Sequence, residues 1–157
     1  DDYDTAIEFF QKAVDLRIDM LGHSHPDLAD SYYNLGIAFF NKGLISTIGA
    51  AMSNERSGAA SDSKSDYDRS IEYHQKALEM RIGTLGQDHP VVAASYNSLA
   101  ASCFNKREYD RAIGYNQKAL EIYIATLGKK HQDTKRTKEE IKVYKAALKS
   151  GNKVRNG

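Results

Sequence analysis

The five histidines are the residues of this sequence best able to bind a metal ion. They are His23, His25, His74, His89 and His131. A metal site needs several ligands that converge on one point. His25, His89 and His131 recur at intervals of 64 and 42 residues, so we expect them to lie one repeat apart and not together. No cysteine or carboxylate pattern supports the His23–His25 pair. We therefore expect no metal and no cofactor.

Nucleophilic and phosphate-binding chemistry is not indicated either. The single cysteine, Cys103, occupies an inward helix position, where a buried cysteine acts as a small apolar side chain. A cysteine nucleophile would need a lowered pKa and an adjacent base, and the sequence indicates neither. The glycines stand singly along the sequence and do not form a phosphate-binding loop. We expect a protein that is not an enzyme.

Composition narrows the class of protein further. The 157 residues fit one domain. No run of about 18 apolar residues predicts a membrane span, and the first residues lack a secretory signal. One cysteine fits a reducing compartment, so we expect a cytoplasmic protein. Residues 129–157 carry a net charge of +7 and the rest −6. This asymmetry indicates either a charged partner or a solvated terminal helix.

A repeat of 42 residues organises the chain. Its reference copy runs from Asp66 to Glu108. Moved forward by 42 residues, Gln75–Leu78 falls on Gln117–Leu120, and moved backward by 64, Gln75–Ala77 falls on Gln11–Ala13. The larger offset exceeds the period by 22, so one copy carries an insertion of 22 residues. A period in this range indicates stacked supersecondary units.

Six segments show apolar residues at steps of three and four, the spacing of one helix face. The predicted helices are Tyr3–Leu21, His25–Lys42, Tyr67–Leu85, one that opens at Asp88–Pro90, one from Glu108 to about Gly128, and His131–Lys149. Ser24 and Asp66 are predicted to cap the second and third helices. Gly36 costs its helix about 1 kcal/mol relative to alanine, so we expect a neighbouring helix to approach closely there.

The same spacing predicts which side chains point inward. In the first helix they are Ala6, Phe9 or Phe10, Ala13, Leu16 or Arg17, and Met20. In the next four helices they are Leu28, Tyr32, Leu35 and Phe39; Tyr67, Ile71, His74, Leu78, Ile82 and Leu85; Val92, Tyr96, Leu99 and Cys103; and Ile113, Asn116, Leu120 and Tyr123 or Ile124. In the last helix they thin to Ile141, Val143, Tyr144 and Leu148, which fits a terminal helix with a polar outer face.

The insertion determines the predicted organisation of the chain. Residues 44–65 are expected to form a flexible loop, and 53–65 are the part richest in small and polar residues. Alternatively, apolar residues 44–52 pack on another surface or prolong the preceding helix. The predicted segments are an array over 1–149, with a partial first repeat and the next helix in 1–43, repeats in 66–128, a capping helix in 129–149, and a frayed tail in 150–157.

Fixed aromatic and small positions recur in each copy. They are Tyr32 and Tyr96; Leu35–Gly36 and Leu99–Ala100; Tyr3, Tyr67 and Tyr109; Ala6, Ser70 and Ala112; and Ala13, Ala77 and Ala119. A leucine–glycine, two-residue, histidine–proline turn stands at Leu21–Pro26 and Leu85–Pro90. This pattern resembles the tetratricopeptide repeat, and more closely the 42-residue variant found in kinesin light chains and nephrocystin-type proteins.

The resemblance implies an all-α fold, a right-handed superhelical solenoid of antiparallel helix pairs with about six helices. It also implies that the first helix of each repeat lines a concave groove. The chain begins at the second helix of a repeat, so we expect further repeats before Asp1 or another subunit to cover the Tyr3 helix. The groove positions are Asp30, Tyr33, Asn34, Ile37, Phe40 and Asn41, then Ala94, Asn97, Ser98, Ala101, Phe104 and Asn105.

Two functions fit these residues. Asparagine both donates and accepts hydrogen bonds, so Asn34, Asn41, Asn97 and Asn105 could hold the backbone of a partner peptide, beside aromatic surface. We therefore expect a scaffold or adaptor that binds a protein or peptide segment. The alternative is a structural subunit that packs through its N-terminal helix and insertion. Nucleic acid is not expected, because the basic tail shows no known nucleic-acid-binding motif.

Overall fold

A computed structural model of the chain describes residues 2–23, 25–53 and 58–155. Within these ranges the chain forms six α-helices and no strand, so the prediction of an all-α fold with about six helices is confirmed. The helices are α1 (Asp2–Leu21), α2 (Asp27–Ser53), α3 (Gly58–Leu85), α4 (Pro90–Asn105), α5 (Tyr109–Leu127) and α6 (Gln132–Arg155).

The helices group into two compact units, residues 1–84 and 85–157. In the first unit α2 packs against α1, and the Ser70 hydroxyl of α3 donates to the Gly36 carbonyl of α2 at 2.8 Å. In the second unit α5 packs against both α4 and α6. Each unit is therefore a layer of three consecutive helices with its own buried side chains.

The core of the first unit forms around the predicted stripe of α2. Leu28, Leu35 and Phe39 are buried together with Val14 of α1, and Ile7, Ile18, Tyr32, Tyr73 and Met80 pack against them. The inward face predicted for α1 is wrong. Phe9, Leu16 and Met20 are 67%, 62% and 78% exposed. The helix carries two apolar stripes, and α2 covers the one that contains Val14.

The second unit follows the prediction in α4 and departs from it in α6. Val92, Tyr96, Leu99 and Cys103 are all buried, as predicted. In α6, Val143 is 56% exposed instead of inward, whereas Thr134 and Thr137 are fully buried. The buried threonine hydroxyls keep hydrogen bonds, which removes the cost of placing them inside. At the start of this unit, Leu85 was also predicted inward but is exposed.

The insertion is helical wherever the structure describes it. Residues 44–53 continue α2, and residues 58–65 form the first turns of α3. The prediction of a flexible loop is therefore wrong for these residues, and the alternative that 44–52 prolong the preceding helix is confirmed. Residues 54–57 lie outside the described part. Because α3 starts at Gly58, Asp66 lies inside the helix and does not cap it.

The ends and caps of the helices also differ from the predictions. α6 continues to Arg155, so the predicted fraying is wrong for 150–155. The predicted cap Ser24 lies outside the described residues. His89 is the N-cap of α4, and its Nδ1 accepts from the amide of Val91 at 3.2 Å. The other two capping imidazoles do the same: His25 accepts from Asp27 at 3.3 Å, and His131 from Asp133 at 3.2 Å.

One helix meets a criterion that the sequence analysis did not anticipate. Among the described residues, α2 is long and apolar enough, from Asp27 to Met52, to cross a membrane by length and composition alone. A core helix passes the same test. Of the apolar window that meets this test, 28% is buried, and Leu28, Leu35 and Phe39 of α2 lie in the core of the first unit.

Candidate functional site

The predicted groove positions of α2 lie along one side of the helix. Steps of three and four residues join Asp30, Tyr33, Asn34, Ile37 and Asn41, which places them on a common face. Asp30 and Asn34 are exposed, Ile37 is 37% exposed, and Tyr33 and Asn41 are half-buried. α2 therefore presents a polar surface with an apolar residue at its middle.

A buried arginine of α3 organises the first turn of this surface. The Arg81 guanidinium donates to Asp30 Oδ1 at 2.8 Å, and its Cζ lies 4.2 Å from the centroid of the Tyr33 ring. A guanidinium over an aromatic face is attracted by the ring quadrupole. Asp30 and Tyr33 are therefore held by α3. Sequence reasoning missed Arg81, although arginine recurs at the equivalent position 17, which is a signal for this role. In the structure Arg17 bonds to Ser31 of α2.

Behind Tyr33 lies a buried histidine, His74 of α3. Its ring centroid is 5.2 Å from that of Tyr33, and its side chain is 1% exposed. Burial, aided by the positive charge of Arg81, lowers the pKa of His74 from 6.5 to about 4. The imidazole lies against Gly36, where a Cβ would come within 2.6 Å of it. The predicted close approach at Gly36 is thus confirmed, and His74 supports the α2 face from behind in its neutral form.

The equivalent face of α4 is already occupied by contacts within the second unit. Asn97 Nδ2 donates to Thr137 Oγ1 of α6 at 2.9 Å, and Asn105 Nδ2 donates to the Ala101 carbonyl at 2.9 Å. The Ser98 hydroxyl donates to the Ala94 carbonyl at 3.2 Å. The amide donors that sequence analysis assigned to a partner peptide are therefore used by the fold.

Aromatic packing covers the C-terminal end of α4. The Phe104 ring stacks on Tyr144 of α6 with 4.3 Å between centroids, and it also meets Tyr109 of α5 at 5.6 Å. Burial raises the pKa of Tyr144 to about 12. Sequence reasoning placed Phe104 on an open wall, because it did not anticipate that α6 packs on this face of α4.

The two asparagines of α2 differ from those of α4. Within the described part of the chain, the side chains of Asn34 and Asn41 form no hydrogen bond. The structure thus brings together Asp30, Tyr33, Asn34, Ile37 and Asn41 on the first unit, and separately Asn97, Ser98, Ala101 and Asn105 on the second. Whether the two sets share one groove stays a prediction. The α2 set is the candidate binding face.

The other kinds of site to consider in the described ranges are a metal site, a reactive cysteine and a ligand cleft. No group of three or more His, Cys, Asp or Glu side chains there could hold a metal ion. Cys103 is fully buried in α4. A cleft of about 400 Å³ in the second unit is lined by Gln87, Asp88, Tyr96, Lys118, Glu121, Ile122 and Ala125. It contains none of the predicted groove residues.

Comparison with known proteins agrees with the repeat pattern. Family models described as tetratricopeptide repeat match residues 50–125 and residues 1–27. No curated protein gives a significant match. The matched ranges hold the repeated aromatic and small positions, including Tyr3, Tyr67 and Tyr96, and the described residues within these ranges form helices joined by short turns. The chain therefore belongs to the tetratricopeptide repeat family.

Proposed function

We propose that this chain is a protein-interaction scaffold that holds a segment of a partner polypeptide on the α2 face. Tetratricopeptide repeats generally mediate protein–protein interactions, which sets the class of function. The observation that carries the proposal is the state of Asn34 and Asn41. Both amides are uncommitted within the described part of the chain, and the exposed Ile37 lies between them.

The chemistry of this face suits a peptide. Each asparagine amide offers a donor and an acceptor, which matches the backbone groups of a polypeptide. The Arg81–Asp30–Tyr33 contacts fix the neighbouring side chains, so the face is organised before a partner binds. Preorganisation reduces the entropy lost on binding.

A double substitution tests the proposal. A random peptide display library is selected on the chain, and the enriched peptides are titrated against the Asn34→Ala/Asn41→Ala variant. We expect affinity to fall at least tenfold with unchanged helical circular dichroism. Asn105→Ala is the matched control, since its amide already bonds to Ala101, and it should bind within about twofold. Equal binding by the double variant and the parent would refute the proposal.

The proposal also covers the type of repeat, the absence of catalysis and the location of the protein in the cell. The 42-residue period and the histidine–proline turns support the longer variant of the repeat. A scaffold needs no catalysis, and we propose that the chain has none. The single cysteine supports a cytoplasmic location, which a fluorescent fusion of the chain would test; fluorescence confined to a secretory compartment would exclude it.

A second candidate function is assembly into a larger complex through α1. The observation that favours it is the exposed apolar stripe of Phe9, Leu16 and Met20. Sedimentation of the chain and of its Leu16→Glu/Met20→Glu variant separates the two functions. Assembly predicts association that the variant loses, whereas a monomeric parent would rule out assembly between copies of this chain.

A further inference from the structure

The candidate face of α2 does not stop where the repeat stops. Beyond Asn41, α2 continues through the insertion to Ser53. Steps of three and four residues carry the same side of the helix onward into that extension. The α2 stripe, as we name this row, consists of Asn34, Ile37, Asn41, Ile45, Ile48 and Met52. Its first half carries two asparagines on either side of Ile37, and its second half is apolar.

The second half of the α2 stripe is uncovered. Ile45 is 54% exposed, Ile48 47% and Met52 83%. Scattered exposed apolar residues are normal on a protein surface, but a contiguous row marks an interaction site more often. Three large apolar side chains follow one another here on one face of one helix, and they continue a face that already carries the proposed binding residues.

Contacts with α3 hold the extension in this orientation. The Thr47 hydroxyl lies 3.2 Å from the Tyr67 hydroxyl. At Gly43 a Cβ would lie 3.0 Å from the Tyr67 ring and 3.2 Å from the Ser63 carbonyl, so a side chain at this position would require its neighbours to shift by a few tenths of an ångström. Tyr67 is 2% exposed. Since Gly43 and Thr47 face α3, the side with Ile45 and Ile48 faces away from it.

We propose that the insertion lengthens the binding face and that the α2 stripe binds one amphipathic helix of a partner protein. The inference rests on the proposed function and names the class of partner. Residues 34–52 span about 27 Å at 1.5 Å per residue, which is the length of a partner helix of about 18 residues. A row of side chains three and four residues apart on one helix packs against the matching row of another helix.

The charge of the stripe decides against anionic partners. None of its six side chains is charged. A nucleic acid or an acidic peptide needs lysine or arginine to neutralise its charge, and the stripe offers neither. The partner helix must therefore present an uncharged face, with polar groups opposite Asn34 and Asn41 and apolar anchors opposite Ile45, Ile48 and Met52.

Size and burial decide between the remaining occupants. Four partly exposed apolar side chains make a patch on the order of a few hundred Å². A stable interface between two proteins buries about 800 Å² on each partner, which favours a single helix over a second copy of the chain. A membrane-spanning α2 would have to leave the core, in which Leu35 is 0% and Phe39 4% exposed.

The experiment uses a display library of 18-residue helical peptides with a fixed charged face and a randomised apolar face. Peptides selected on the chain are titrated against three variants. Ile45→Glu/Ile48→Glu removes two apolar side chains from the second half of the α2 stripe, and Asn34→Ala/Asn41→Ala removes the amides from its first half. Val143→Glu is the matched control, at a similarly exposed apolar residue of α6. We expect at least a tenfold loss for the first variant and less than a twofold change for the control.

Each other outcome overturns the inference in a distinguishable way. Loss of binding only in the asparagine variant would retain the proposed function and reject the role of the insertion. Unchanged binding in both variants would reject both, whereas the absence of any enriched helical peptide would reject the inference alone, because the proposed function is tested with the random library. Dimerisation of the parent that Ile45→Glu/Ile48→Glu abolishes, or binding of the chain to neutral phosphatidylcholine vesicles through these residues, would replace the partner helix by a second copy or a membrane.

Discussion

The imidazole of His74 lies directly against the backbone of Gly36, in the middle of the α2–α3 contact. A Cβ on residue 36 would come within 2.6 Å of both Cε1 and Nδ1 of the imidazole. Two adjacent contacts strengthen this point: the Ser70 hydroxyl donates to the Gly36 carbonyl at 2.8 Å, and the centroid of the Tyr33 ring lies 5.2 Å from that of the imidazole. The absence of a side chain at Gly36 is therefore what lets a buried histidine support the candidate face.

The first prediction concerns Gly36→Ala. Alanine gains about 1 kcal/mol of helix propensity over glycine, while overpacking a core costs about 1–3 kcal/mol. Because His74 is enclosed, we expect a net loss of about 1 kcal/mol in the free energy of unfolding, measured by urea denaturation. Gly114→Ala is the control, since a Cβ there meets nothing within 4 Å. It should stabilise, and equal stabilisation by Gly36→Ala would contradict the close contact.

The second prediction concerns pH. The pKa of His74 is about 4 in the folded chain and 6.5 in its ordinary state. Between these values the unfolded chain binds more protons, so stability is complete above about pH 6.5 and falls as the pH drops towards 4. At 1.36 kcal/mol for each pKa unit, the loss approaches roughly 3 kcal/mol.

Urea denaturation at pH 7 and at pH 4.5 measures this loss. The matched variant is His74→Asn, because Asn116 occupies the equivalent position of α5 and is fully buried there. The variant should lose the part of the pH dependence that His74 contributes. An identical pH dependence in the parent and the variant would show that this histidine does not titrate as described.

The third prediction concerns the histidine caps. Loss of an N-cap hydrogen bond costs about 1 kcal/mol, so His89→Ala should lower the free energy of unfolding by about that amount. His89→Asn should restore most of it, since asparagine is a preferred cap. His23→Ala serves as the control at an exposed histidine and should change stability by less than about 0.5 kcal/mol. A cost at His23 as large as that at His89 would argue against a capping role.

The fourth prediction concerns the Asn97–Thr137 hydrogen bond. Thr137→Val keeps the shape of the side chain but leaves the half-buried Asn97 amide without its acceptor. We expect a loss of about 1–3 kcal/mol in the free energy of unfolding, measured by chemical denaturation. Thr137→Ser keeps the hydroxyl and should cost less than the valine variant. The reverse order would mean that packing, not the hydrogen bond, places Thr137 inside.

Periodicity predicted the helices and failed to choose between two apolar faces of one helix. In α1 the sequence offers both Val14 and the Phe9–Leu16–Met20 row at helical spacing. Only the structure shows that Val14 meets α2. Spacing states which residues share a face, but which face is covered depends on the neighbouring helix, and that information lies outside the helix itself.

Polar residues in the core defeated the same reasoning. Thr134 and Thr137 are fully buried, while Val143 of the same helix is exposed. The Thr134 hydroxyl donates to the Gly128 carbonyl at 2.8 Å, and Thr137 accepts from Asn97 at 2.9 Å. A hydropathy pattern counts such residues as surface because it does not include the partners that satisfy them.

The candidate site was predicted in part. The repeat register gave the α2 face correctly as a row of residues on one side of a helix, and the close approach at Gly36 followed from its cost in a helix. The contacts that divide the predicted asparagines did not follow. Asn97 is engaged by α6, and Arg81 reaches Asp30 from α3, because both contacts join residues far apart in sequence.

The length of the insertion has a geometric consequence. α2 has 27 residues where α4 has 16, because residues 44–53 of the insertion prolong it by about 15 Å. Eleven residues make about three whole turns of an α-helix, so side chains eleven residues apart, such as Asn34 and Ile45 or Asn41 and Met52, lie on the same side of α2. An insertion of eleven residues between Asn41 and Ile45 would therefore preserve this alignment, whereas an insertion of about half that length would turn Ile45, Ile48 and Met52 to the opposite side of the helix.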